Sequence, residues 1–275
     1  MSTATITSPP APTVSAPPDR TQGVTFPRVV RSEWIKFRSL RSSWYMLLAA
    51  VAALPVLGFV VAYNTRNLNG VAAEDAVPSA VLQGYLLAEL LVGVLGVLVV
   101  SGEYGTGMIR STVGAVPGRV PVVLAKAVVL GTVTLLPLAV TSLATFLGAQ
   151  AFLSRYHPGF SLSDPGALRV VLGTAAYLAL IGLLGGALGW ILRSTAGGIA
   201  ALLALVLVVP VLFGGLLGNW GKDVAQFLPS NAGEAFIQSL SGDHMLAAWT
   251  GLGVLVAWVV AGLAVAAVQL RRRDV

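Results

Sequence analysis

Hydrophobic positions in this chain gather into six long runs separated by short polar stretches. The runs lie at 44–63, 80–100, 122–152, 169–192, 196–217 and 247–270. Crossing the hydrocarbon of a bilayer takes about 20 mainly apolar residues in helical form. The pattern therefore predicts an all-α, polytopic membrane protein with six transmembrane helices. The third run is long enough to tilt or protrude. Ahead of the first run, residues 26–43 carry a helical period: at about 100° per residue, Phe26, Val30, Trp34 and Phe37 share a face. Arg31, Lys36 and Arg38 lie on its flanks and opposite side, and Ile35 sits among the polar positions. This predicts an interfacial amphipathic helix, rings in lipid and charges towards headgroups. An ordinary juxtamembrane charge cluster is the plainer alternative. Residues 1–25 are rich in Pro, Ser, Thr and Ala, lack the pattern of a signal peptide, and read as a disordered cytoplasmic tail. The expected organisation is tail 1–25, interfacial helix 26–43, six-span domain 44–270 and basic tail 271–275.

Local signals refine the connections. Asp164-Pro165 suggests an N-cap followed by proline at the first helical position. Only Arg193, Ser194 and Thr195 join the fourth and fifth runs, which requires a tight antiparallel hairpin. Gly182 and Gly186, and Gly185 and Gly189, have the four-residue spacing that lets helix backbones approach; Gly214 and Gly218 repeat it. Packing within the chain is the preferred reading, and a dimer seam is the alternative. Pro55, Pro137 and Pro210 fall inside runs, where each removes a backbone hydrogen bond.

Composition fits lipid as the solvent. Of 275 residues, 56% are hydrophobic and 10% charged, against about 25% charged in soluble domains. The net charge of +6 accompanies the apolar runs, so it reads as an orientation signal rather than as affinity for nucleic acid. With the N-terminus inside, six spans place 1–43, 101–121, 193–195 and 271–275 in the cytoplasm. Lys126 can snorkel to that side. Of the 17 basic residues, only Arg66, Arg155, Arg169 and Lys222 then fall outside, as the positive-inside rule requires. The expected location is a bacterial-type plasma membrane, with both termini cytoplasmic. Trp44, Tyr45, Tyr63, Trp190 and Trp220 sit near run ends, where aromatic belts form.

Candidate chemistry is sparse. There is no cysteine, and the two histidines, His157 and His244, fall in predicted loops. No HExxH, GxSxG or phosphate-binding GxxxxGK[ST] pattern occurs. The expectation is a protein that is not itself an enzyme and holds no metal or cofactor. Glu89 is the single acid deep within a run, where an ionised group costs at least about 2.5 kcal/mol. It is either a pathway or gating residue or a structural polar contact.

The segment between the second and third runs, 101–119, is the most informative. A short helix is expected over 106–116, stopped by Pro117-Gly118. Met108, Ile109 and Val113 would form an apolar knob rimmed by Arg110 and Arg119, suited to docking a soluble partner.

Residues Arg31-Ser-Glu-Trp-Ile-Lys-Phe-Arg-Ser-Leu-Arg-Ser, Gly102-Glu-Tyr-Gly-Thr-Gly-Met-Ile-Arg and, more weakly, Leu228-Pro-Ser-Asn-Ala-Gly-Glu carry a resemblance to the permease subunits of ABC-2 type ABC transporters, over 28–275. The resemblance implies an ABC-2, type V exporter-like permease fold. It makes 26–43 the connecting helix, with Trp34, Lys36, Phe37 and Arg38 as interfacial residues. It makes 103–116 a coupling helix, with Glu103, Tyr104, Gly105, Thr106, Met108, Ile109, Arg110 and Arg119 as ATPase-coupling residues. Residues 227–240 resemble the re-entrant or interfacial element before the last span; independently, Asn231-x-x-Glu234 reads as a helix-start box. The implied partners are two copies of a separate ABC-type ATPase, which would bind ATP and Mg, and a second permease subunit, identical or homologous, in membrane lipid. Export is implied by the resemblance, and an apolar pathway suggests amphipathic or hydrophobic cargo. The alternative is a secondary transporter or channel working without an ATPase. An intramembrane enzyme and a purely structural or regulatory subunit are the remaining rivals.

Overall fold

The computed structural model describes residues 25–65, 79–116, 118–154, 161–239 and 242–272. The expected tail 1–24 (with Arg20), Arg66, Pro117, Arg155, His157, Leu240 and the last residues 273–275 lie outside them. The described chain is helical, without strands. Its helices are α1 (Phe26–Ser39), α2 (Arg41–Thr65), α3 (Tyr85–Gly105), α4 (Met108–Ala115), α5 (Val120–Leu153), α6 (Ala167–Leu192), α7 (Thr195–Leu216), α8 (Gly218–Ala225), α9 (Pro229–Ile237) and α10 (Ala248–Arg272). Six of them, α2, α3, α5, α6, α7 and α10, are long and apolar enough to cross a membrane, at the six places the hydrophobic pattern marks.

The bundle is built around α3 and α6, whose backbones approach through glycine. A Cβ on Gly96 would lie 1.9 Å from the Gly182 carbonyl oxygen, and one on Gly185 would lie 2.1 Å from that of Gly93. The small residues of α6 therefore serve packing inside the chain. Gly214 on α7 has no atom near its Cβ position, so the repeat at 214–218 makes no such contact. Around this pair pack α2, α5, α10 and the start of α7. α7 and α10 leave most of their apolar surface uncovered. Within α7, residues Ala204–Val208 widen into a π-turn ahead of Pro210; proline lacks the N–H the regular ladder needs and crowds the preceding turn.

Contacts define two ends of the bundle. At one end meet α1, the end of α3, α4, the start of α5, the end of α6 and the end of α10, packed through Val29, Ile109, Val113, Val122, Trp190 and Leu270. Every described basic residue except Arg169 and Lys222 belongs to this end. The other end gathers the close of α2 and α5 with the start of α6, and α9 packs there against α6 and α10.

Several boundaries differ from expectation for local reasons. The 26–43 helix breaks at Leu40, in extended conformation; Trp44 Nε1 donates to the Arg38 carbonyl at 3.3 Å across the break. α6 starts at Ala167 after Gly166 in the left-handed region (φ 87°), not at Asp164-Pro165; Asp164 Oδ2 instead accepts from the Ser161 N–H at 2.6 Å. Pro229 sits in the first turn of α9, so Asn231 and Glu234 lie within the helix rather than forming a helix-start box. Ser194 caps α7, its Oγ accepting from the Gly197 N–H at 3.3 Å.

Candidate functional site

The basic end of the bundle contains a closed ring of four charges. α1 supplies Glu33 and Lys36, three residues apart on one face. α3 supplies Glu103 from its last turn, and α5 supplies Lys126 from its second. Lys36 Nζ lies 2.7 Å from Glu33 Oε1 and 3.1 Å from Glu103 Oε1; Lys126 Nζ lies 2.6 Å from Glu33 Oε2 and 2.8 Å from Glu103 Oε1. Each charge thus touches two of opposite sign. The Lys126–Glu33 contact is close, though its angles do not suit a hydrogen bond. Lys126 also reaches the Val99 carbonyl at 3.5 Å. Buried charges need partners of opposite sign; every member of the ring has two and the net charge is zero, while Glu33 Oε2 is paired with Lys126 without a hydrogen bond.

α4 hangs from the ring. Lys36 donates to Thr112 Oγ1 at 2.8 Å, and the one Thr112 hydroxyl hydrogen has two acceptors in reach, Glu103 Oε2 at 3.4 Å and the Met108 carbonyl at 3.2 Å. Beneath it, Ile109 and Val113 insert among Val29, Val100, Val122 and Trp190. The turn joining α3 to α4 depends on Gly107, whose φ of 72° closes the end of α3 in the left-handed conformation. Thr106 Oγ1 donates back to the Gly102 carbonyl at 2.9 Å.

The structure revises several sequence expectations at this site. Glu103, Tyr104 and Gly105 end α3 and do not belong to the short helix, which begins at Met108 rather than Thr106. Ile109, expected in an exposed knob, is 3% exposed, whereas Met108 is 46% exposed and Arg110 is exposed beside it. A helix of eight residues resting on one face can present only the other, and the apolar period 109–113 selects the buried one. Arg119, expected on the rim, turns to α10, where Nη1 donates to the Leu270 carbonyl at 2.8 Å. Tyr104 packs edge-on against Trp190 at 5.9 Å, with the Arg193 guanidinium 5.4 Å above its ring, so it braces the α6–α7 turn. On α1, Phe37 faces the bundle instead of lipid and Lys36 enters the ring instead of facing headgroups; Phe26, Trp34, Ile35 and Arg38 are exposed.

Glu89 lies inside the bundle, away from the ring. The Tyr177 hydroxyl donates to Glu89 Oε2, and Tyr85 stacks edge-on against Tyr177 at 5.8 Å. Burial pushes the carboxyl of Glu234 on α9 above its ordinary range. Arg169 fixes the end of α9: its guanidinium donates to the carbonyls of Phe236 and, at 3.0 Å, Gln238, satisfying groups that a helix C-terminus leaves open.

Glu33, Thr112, Tyr177 and Tyr85 were not legible as site residues in sequence. For Glu33 a signal exists: it shares a helical face with Val29 and Phe37, and an acid on an apolar face implies a buried cation. No group of three or more metal-ligating side chains occurs among the described residues. A scan against protein-family models gives no match, and a search of the curated proteins finds none similar.

Proposed function

We propose that this chain is the membrane-spanning permease subunit of an ABC-2 type ATP-binding cassette exporter, driven by a separate ATPase. In this reading the basic end faces the cytoplasm, α1 lies in the interface, and α4 is the coupling helix onto which the ATPase docks. The observation that carries the reading is the ion ring beneath α4. A soluble partner would meet Met108 and Arg110 on the exposed face of α4. Its movement would pass through Thr112 to Lys36 and Glu103, and through Ile109 and Val113 to the apolar packing. One displacement would then load α1, α3 and α5 together, because all three close the same ring. A lone surface helix without such an anchor would bend without moving the spans. The charge asymmetry between the two ends supports the orientation.

The chain would act with a second permease copy and two ATPase copies, and amphipathic or hydrophobic cargo suits the apolar pathway. ATP and Mg would be bound by the partner. The test first asks whether an ABC-type ATPase co-purifies with the chain, and its absence would refute the reading; the pair is then co-reconstituted. Arg110→Glu with Met108→Ala should weaken docking about tenfold or more, as truncated interface anchors do, and abolish transport while the ATPase still turns over. Coupling at the level of the unaltered protein would refute the docking role of α4.

A further inference from the structure

α1 has a second working face. Val29, Glu33 and Phe37 turn towards the bundle. On the opposite side, Arg31, Trp34, Ile35, Arg38 and Ser39 line an open groove of about 480 Å³. Arg31 and Arg38, whose backbones are seven residues and so about 10.5 Å apart along the axis, bracket an aromatic and an aliphatic side chain, and their flexible arms are able to converge. Trp34 is 39% and Ile35 57% exposed. The groove's positive charge is unopposed on its own helix, because the one acid of α1, Glu33, points the other way into the lysine ring.

Position selects the occupant. Only Leu40 separates α1 from α2, whose apolar run starts within a few residues. The Phe37–Trp44 edge-to-face contact at 5.7 Å and the Trp44 to Arg38 hydrogen bond hold that corner. The groove therefore sits at the depth where headgroups meet acyl chains, and guanidinium matches phosphate geometry. We infer that this stripe of α1 is a binding site for an anionic phospholipid, its phosphate held by Arg31 and Arg38 and its acyl chain lying along Trp34 and Ile35. The inference rests on α1 lying at the membrane surface and not on ATPase docking.

The test is lipid titration of the full chain in mild detergent, read by native mass spectrometry. Phosphatidylglycerol should bind more tightly than phosphatidylcholine of identical acyl chains. Arg31→Gln with Arg38→Gln should weaken phosphatidylglycerol about 30-fold, from about 1 kcal/mol per basic residue at an anionic surface, and leave phosphatidylcholine unchanged. Trp34→Ala with Ile35→Ala should weaken both lipids, and Lys222→Gln, at the far end, neither. Equal binding of the two lipids, or discrimination that survives loss of both arginines, would overturn the site. Soluble glycerophosphate binding as well as the lipid would overturn the lipid assignment in favour of a free anion. Loss of self-association with unchanged lipid binding would assign the stripe to a second copy instead. Transport coupling through α4 is a separate readout, so either reading can fail alone.

Discussion

At the scale of single residues, the ring orders its members by burial. The Lys126 side chain is 5% exposed and that of Lys36 24%. Lys126→Met should therefore destabilise the protein more than Lys36→Met, by about 3–5 kcal/mol, because it leaves two buried carboxylates sharing one partly wetted cation. Combining it with Glu103→Gln should cost less than the two changes added together. Thermal unfolding of the detergent-solubilised variants measures both, and strict additivity would show the ring is not a coupled unit. Glu89 differs, meeting a hydroxyl and no cation among the described residues. Glu89→Gln keeps an acceptor for Tyr177, so insertion and folding should be retained while the transport rate changes; an unchanged rate would make Glu89 a packing residue. What sequence conveyed at this scale was uneven. The helical period marks Lys36, the charge balance Lys126 and the family resemblance Glu103, yet not as one cluster, because contacts between residues 67 or 93 positions apart leave no local period.

Among elements, the α3–α6 seam is the strongest constraint. Gly96→Ala would drive a methyl into the backbone of α6, and Gly185→Ala would do the same to α3. Each should lower stability by about 3 kcal/mol or more, since neither neighbour is a side chain able to swing aside. Gly214→Ala meets open space and should be neutral or stabilising by up to about 1 kcal/mol. Unfolding temperatures of the three variants check this, and equal effects would remove the seam's special status. The six spans were readable because lipid demands one sustained signal, about twenty apolar residues, that no short connection imitates. The short helices were less readable. α9 starts three residues earlier than its polar pattern suggests because Pro229 fixes the first turn, and α4 starts two residues late because Gly107 must first close α3. Ile109 and Met108 are neighbours of similar apolarity, and only the packed position of α4 decides which is buried.

For the whole molecule, the two ends of the bundle divide the roles. In the proposed function, the end bearing α1, α4 and the basic residues is where another subunit would deliver work; the far end holds α9, pinned by Arg169 and packed through Gly233 against Tyr177, the partner of Glu89. The central claim is that α4 faces the cell interior, and the absence of native cysteine makes it directly measurable. Ser111→Cys on the exposed face of α4 and Asp243→Cys at the far end would each be treated with a membrane-impermeant maleimide. Labelling of Asp243→Cys in intact cells, with Ser111→Cys labelled only after permeabilisation, is the predicted result. Labelling of Ser111→Cys in intact cells would contradict the account at its base.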